Sequence, residues 1–307
     1  MSESGVRPNV LITGASGLIG SALGEFLPQE GYLPIPLSRK KGDTAPDGAW
    51  WDPPSGDVKL DAALPLRSVI HLAGAGIADG LWTKARKKIL WESRVDATRS
   101  LAEALAALPE ESRPASMICA SGIGYYGHRG QEVLNEDSSK GEGYLADLAA
   151  AWEEAAEPAR AAGIRVVSLR FGLVLSADGG PLKAMLRPFR LGLGGPLGNG
   201  RQMVSWITLH DALRVILALI EREDVSGVVN GVAPGAVTQG EFAKALGKEL
   251  GRPAFLPAPG FALKLILGEM AQELLLGGQR VEPTRLYAIR FPFRYPDLAS
   301  AFPALEL

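Results

Sequence analysis

The stretch that most constrains this chain is Val10-Leu11-Ile12-Thr13-Gly14-Ala15-Ser16-Gly17-Leu18-Ile19-Gly20. An apolar run ends at Thr13, glycines recur at every third residue, and a helical pattern opens through Ala22, Leu23 and Leu27. Strand, tight turn and helix start, in that order, make a place for a phosphate. Residues without a Cβ permit positive φ in the turn and close approach of the backbone to a ligand. The helix start offers unpaired N–H groups and the positive end of its dipole to the anion. Glycine triplets alone are common, but between a strand and a helix this one reads as a dinucleotide turn. Its expected contacts are Gly14, Ser16, Gly17, Leu18, Ile19 and Gly20.

Which dinucleotide is decided further on. Gly31 breaks the helical pattern, and Tyr32-Leu33-Pro34-Ile35-Pro36-Leu37 reads as a second strand. Each proline removes a ladder donor, so this strand pairs poorly on one side or its bounds are slightly displaced. Ser38 and Arg39 follow, with Lys40 and Lys41 beside them and no carboxylate before Asp43. NAD-binding turns place an acidic residue about 20 positions past the glycines to hold the ribose hydroxyls. A cation with a planar donor fork favours a 2′-phosphate there instead. The expected cofactor is NADP, with Ser38 and Arg39 at its ribose phosphate.

At 307 residues the chain can form one large domain, or one domain with a smaller lobe. With 47% hydrophobic and 21% charged residues and a net charge of −2, no basic excess exists to drive binding to nucleic acid or an anionic membrane. The expectation is therefore a small-molecule partner, with no nucleic acid and no membrane. Cys119 is the single cysteine, which rules out an intramolecular disulfide and fits a reducing compartment. Residues 1–8 are polar and lack the apolar core of a signal peptide, so a cytoplasmic location is expected.

Further along, strands and helices alternate. Ala49-Trp50-Trp51-Asp52-Pro53-Pro54 reads as a small hairpin or loop. Ser68-Val69-Ile70-His71-Leu72-Ala73-Gly74 is a buried strand running into small residues. Ligands lie beyond the carboxyl ends of strands in a doubly wound sheet, which puts Ala73 and Gly74 at the cofactor and leaves His71 as a packed core histidine. A helix is readable from 82 to 108. Met117-Ile118-Cys119-Ala120-Ser121 is another strand, ending in Gly122-Ile123-Gly124-Tyr125-Tyr126-Gly127. A helix through Leu145, Leu148, Ala149 and Trp152 precedes a strand from Ile164 to Phe171. The glycine-rich stretch 176–200 reads as a loop and short helix over the cleft, and helix, strand and helix follow near 211–221, 228–232 and 238–250. Such alternation predicts an α/β fold: a Rossmann-type, doubly wound parallel sheet with a smaller C-terminal α/β substrate lobe. The expected division is an NADP-binding domain at 8–175, its sheet completed by parts of 204–233, with 176–203 and 234–307 forming the substrate lobe and small C-terminal domain. No metal-ligand cluster is evident in the sequence.

Taken together these stretches resemble the extended, epimerase-like branch of the short-chain dehydrogenases/reductases. The likeness tightens to epimerase-like NADP-binding oxidoreductases that end in a small C-terminal domain. Beside 13–20 and Ser38-Arg39, it rests on Leu72-Ala73-Gly74, Ser93-Arg94 with Thr98, Gly124-Tyr125-Tyr126-Gly127, Trp152-Glu153, the glycine-rich block 188–198 and Leu267-Gly268-Glu269-Met270. The resemblance implies Arg94 as a cofactor contact and Ser121 as the active-site serine. It also implies Glu136 as a substrate-side carboxylate, and a lid in which Arg187, Arg190, Gln202 and Trp206 cover the nicotinamide. Extended relatives pair as homodimers through helices; monomer and homodimer stay open here.

Those relatives carry a tyrosine and a lysine four residues apart, the lysine lowering the phenol's pKa for proton exchange with a carbonyl or alcohol. Anchored on Glu153, the two positions hold Leu145 and Ala149. Tyr144 is one residue off, roughly 100° round a helix. Tyr125 or Tyr126 is the candidate for the missing phenol, Tyr125 foremost. Two readings follow: an NADP(H)-dependent oxidoreductase or nucleotide-sugar-epimerase-like enzyme, and a catalytically silent NADP(H)-binding sensor or regulatory protein.

Overall fold

The computed structural model describes residues 7–37, 49–53, 55–60 and 64–307. Six parallel strands form the main sheet: β1 (Asn9–Thr13), β2 (Leu33–Pro36), β3 (Leu66–His71), β4 (Ser116–Gly122), β5 (Arg165–Phe171) and β6 (Gly227–Gly231). Their spatial order is β6-β5-β4-β3-β1-β2. Both faces of the central strands are apolar because both are covered. Val10, Ile12, Ile70, Ile118 and Val167 pack on one side beneath α1 (Leu18–Phe26) and the helix Leu209–Glu221. The alternate residues Leu11, Val69, Met117 and Val166 pack on the other, against Leu101 and Leu105 of α2 (Ala97–Ala106). Cys119 lies in that second layer, where burial pushes its thiol up to about 12.

The two prolines of β2 have a simple explanation. β2 is an edge strand paired only with β1, so its missing N–H groups leave no gap in an interior ladder. The tryptophan pair forms a hairpin, Trp50–Asp52 against Asp57–Lys59, with Trp51 buried edge-on to His71. The helix expected over 82–108 is instead three pieces. Lys84–Trp91 and α2 are joined by a π-helical turn, Glu92–Asp96, and the extra residue in that turn leaves the apolar periodicity on either side intact.

The carboxyl edge of the sheet is held by a buried polar chain. Thr13 Oγ1 lies 2.7 Å from His71 Nδ1, His71 Nε2 lies 2.8 Å from Thr98 Oγ1, and Trp152 Nε1–H donates to Thr98 Oγ1 at 2.9 Å. The Thr13 hydroxyl also accepts the N–H groups of Leu72 and Ala73. Its two acceptor sites are thus used, so its proton goes to Nδ1 and the neutral imidazole carries its own proton on Nε2. His71 is the packed core histidine the strand pattern predicts.

A second core joins α4 (Gly180–Arg190) to the C-terminal segments. Leu182, Leu186 and Phe189 of α4 pack with Trp206, Phe242, Leu246 and Phe302. The helix Gln239–Glu249 opens on a capping box between Thr238 and Glu241. Buried Asp211 ties the tail down, accepting the N–H groups of Arg294 and Tyr295 beside the Arg214 guanidinium. No described helix is long and apolar enough to cross a membrane.

Burial lowers His71 from 6.5 to about 4. In the unfolded chain the ring takes up a proton that the folded chain refuses, so its contribution is complete above pH 6.5. It is lost as pH falls towards 4, and the total amounts to about 3 kcal/mol. Urea midpoints measured across this range are expected to fall with acidity, and the His71→Asn variant to show a flatter profile.

Candidate cofactor and substrate site at the carboxyl edge of the sheet

Two glycines make the phosphate turn possible. Gly14 has φ of +67°, and a Cβ there would lie 2.8 Å from the Leu72 carbonyl. A Cβ on Gly20 would lie 2.2 Å from the Gly14 oxygen, so α1 can pack on the turn only without one. Gly17 plays a different part: its N–H donates to the Gly14 oxygen, and with Ser16 it faces solvent. It gives α1 no side-chain cap, and the first turn holds no acidic residue. The N–H groups of Leu18, Ile19 and Gly20 therefore have no intrahelical acceptor and suit an anion. These residues fit a dinucleotide phosphate. Ser38 and Arg39, the expected 2′-phosphate contacts, lie outside the described residues.

Ala73 and Gly74 leave the end of β3 directly beside this turn. Across from Gly74 stands Arg94, delivered by the π-helical turn; a Cβ on Gly74 would be 3.4 Å from the guanidinium carbon. Ser93 steadies the turn by accepting the Ala75 N–H at 3.1 Å. The Arg94 guanidinium lies over the Trp152 ring at 5.1 Å, and burial brings its pKa down to about 10. Among the described residues it has no carboxylate in ion-pair contact.

Arg94 opens onto a cavity of about 480 Å³. Ser121 and Gly122 from the end of β4 form its floor, and Leu145, Leu148, Ala149 and Trp152 of α3 (Tyr144–Glu154) one wall. Met185 of α4, with Met203, Phe242 and Leu275, closes the other side. Leu145 and Ala149, at the two positions where the resemblance implies a tyrosine and a lysine, therefore face the cavity with aliphatic groups. Tyr144 turns away, its hydroxyl donating to the Lys87 carbonyl and its ring packed on Trp82. Arg94 and Glu273 are the only ionisable side chains among the described residues lining the cavity. Glu273, from the π-helical turn Gln272–Leu276, accepts the Leu145 N–H at 3.3 Å.

The Ser121 hydroxyl donates to Glu153 Oε1 at 2.7 Å. Glu153 is in turn clasped by Arg170, whose Nε and Nη2 donate to its two oxygens at 2.6 and 2.7 Å. Burial pulls the Arg170 pKa down, but the hydrogen bonds and charge of Glu153 outweigh it and raise it. Tyr125 lies with its ring centroid 3.3 Å from the Arg170 guanidinium carbon and is not among the residues lining the cavity. Tyr126 is buried and donates to Asn230 Oδ1 at 2.8 Å. Glu136 is not at the cavity either: it is buried and accepts the N–H groups of Asn230 and Arg285. Of the expected lid residues only Gln202 lines the cavity. Trp206 is buried with its indole N–H on the Gly235 carbonyl, and Arg187 and Arg190 are exposed outside.

The sequence pattern passes over the partnership of Glu153 with Arg170, although a cation inside a buried strand is itself a signal that a carboxylate stands near. It also passes over Glu273, whose π-helical turn no periodicity announces.

A phosphate turn after the first strand and a cavity beneath a C-terminal lobe define a dinucleotide-binding α/β protein. More narrowly, the chain belongs to the NAD dependent epimerase/dehydratase family, whose profile matches residues 10–230. A domain of unknown function, DUF1731, matches residues 258–305. The chain is 39% identical over 292 residues to an epimerase family protein of Mycobacterium tuberculosis, covering 95% of each. The crystal structure of human epimerase family protein SDR39U1 with NADPH superposes with a TM-score of 0.85 at 33% identity, over 97% of this chain and 98% of that one. A nucleoside-diphosphate sugar epimerase from Corynebacterium glutamicum matches at TM-score 0.78 and 34% identity, over 99% of this chain and 59% of its own.

Replacing Glu153 with Gln would leave the Arg170 charge buried without its counter-ion, and is expected to lower stability in urea denaturation by about 3 kcal/mol. Replacing both, Glu153→Leu with Arg170→Met, is expected to restore most of that loss.

Proposed function

We propose that this protein is an NADP(H)-dependent oxidoreductase whose cavity takes a compact, mainly apolar molecule bearing one anionic group. The observation that carries the reading is Arg94, a half-buried cation with no carboxylate in ion-pair contact among the described residues, on the wall of a cavity lined mainly by apolar side chains with Glu273 as its other ionisable group. A single guanidinium in apolar surroundings selects an anion by charge and by paired donors. The bound NADPH of the human relative supports the cofactor, as do the glycine turn and the position of Arg39 in the sequence.

When bound, NADP(H) supplies or accepts a hydride. The chain's part is then to hold phosphates on the first turn of α1, to meet the 2′-phosphate with Ser38 and Arg39, and to flank the cofactor with Ala73 and Gly74. Arg94 orients the partner molecule in the cavity. Ser121, its proton committed to Glu153, serves that molecule as a hydrogen-bond acceptor and so suits a hydroxyl. Leu145 and Ala149 keep the wall dry, and Tyr125, stacked on Arg170, supports the ion pair rather than exchanging a proton. The same two aliphatic residues favour the second reading, an NADP(H)-binding sensor without turnover.

The test follows NADPH formation from NADP⁺, with the proton released to solvent, as small alcohols are offered as hydroxycarboxylates and as matched neutral hydroxyamides. Carboxylates are expected to be preferred by roughly tenfold or more, the preference disappearing in Arg94→Met. Tight NADPH binding with no turnover on any member would support the sensor reading instead.

A further inference from the structure

One face of the small lobe is built unlike the rest of the surface. Residues 194–198 and 256–258 run side by side: the Leu256 N–H donates to the Gly194 oxygen, Ala258 to Pro196, and Gly198 back to Ala258. α5 (Leu209–Glu221) and other amphipathic helices of this fold turn their apolar side inward. The helix that follows the paired segments, α6 (Gly260–Leu267), does the opposite, for none of its residues is buried although its sequence is GFALKLIL. Leu265 is 85% exposed, Phe261 77% and Phe255 72%, with Leu191, Leu193 and Ile266 at 60% or more. Single exposed leucines are ordinary, but six large apolar side chains this exposed, on α6 and beside the two paired segments, point to a docking surface.

Charge identifies what docks. Residues 179–200 and 250–268 contain no aspartate or glutamate, while Lys183, Arg187, Arg190, Arg252 and Lys264 are all exposed. None of these five is in an ion pair among the described residues. The net charge of −2 for the whole chain conceals this local basic field. A second copy of the chain would bring the same face against itself and oppose cations to cations. An anionic lipid surface would instead neutralise them while accepting the aromatic and aliphatic tips.

We propose that this face seats the protein peripherally on anionic membranes, with α6 lying at the boundary between headgroups and acyl chains. The basic side chains lie against the lipid phosphates. The docked face adjoins the cavity, since Leu197 and Leu275 line it and Leu276 lies against Gly198 and Gly260.

The experiment is co-sedimentation of the full chain with phosphatidylcholine vesicles, with and without phosphatidylglycerol, at low and high salt. Binding to the anionic vesicles is expected, weakening as salt screens the charges. The double variant Phe261→Ser with Leu265→Ser is expected to partition less by roughly tenfold or more, with an unchanged melting temperature because both side chains are exposed. Arg187→Glu with Arg190→Glu is expected to abolish the preference for anionic lipid. Failure to bind anionic vesicles, or binding that both double variants leave intact, overturns the proposal. So does a stable dimer in analytical ultracentrifugation that the Phe261→Ser, Leu265→Ser variant dissociates, which would give the face to a second copy.

Discussion

The carboxyl edge of this sheet depends on the line of hydrogen bonds from Thr13 through His71 and Thr98 to Trp152. Each member belongs to a different element: the end of β1, the end of β3, α2 and α3. Thr13 also anchors the N–H groups of Leu72 and Ala73, so the chain leaving β3 is registered to the phosphate turn. Trp152 carries the same reference to the cavity wall and supports Arg94 on its ring. The order of donors works only with a neutral imidazole, and full burial keeps it neutral. The cofactor turn, the exit of β3 and the cavity are thus positioned by one desolvated network.

A second network sits beside it with a different character. Arg170 grips both oxygens of Glu153 through Nε and Nη2, leaving its Nη1 without a hydrogen-bond partner, and Glu153 also takes the Ser121 proton, which makes them a structural pair. Arg94 has no carboxylate partner among the described residues and opens onto the cavity. The contrast separates a charge committed to the fold from the one on which the proposed function rests. The C-terminal lobe completes the enclosure and brings Glu273 to the start of α3, beside the position where a tyrosine is absent.

Much of this was legible in the chain. The phosphate turn, the parallel strands and the buried histidine follow from periodicity and from the chemistry of glycine. Even the awkward prolines of β2 pointed to an unpaired side, which the edge position supplies. The π-helical turn under Arg94 was hidden, because helical spacing resumes on either side of one extra residue. Glu136 looked available in a loop, but the backbone N–H groups it accepts come from positions 230 and 285, and no local pattern foretells such distant contacts. The outward placement of Arg187 and Arg190 was readable in principle. Leu182, Leu186 and Phe189 share one side of α4, which leaves Lys183, Arg187 and Arg190 on the other.

The proposed function requires α1 and the cavity to serve one dinucleotide, phosphates on the helix start and the reactive ring towards Ser121 and Gly122. A crystal structure of this protein with NADPH is the decisive measurement. Pyrophosphate oxygens are expected within hydrogen-bond distance of the N–H groups of Leu18 and Ile19, with the nicotinamide ring at the cavity floor. A nicotinamide ring held outside the cavity would show that the turn and the cavity do not share one cofactor.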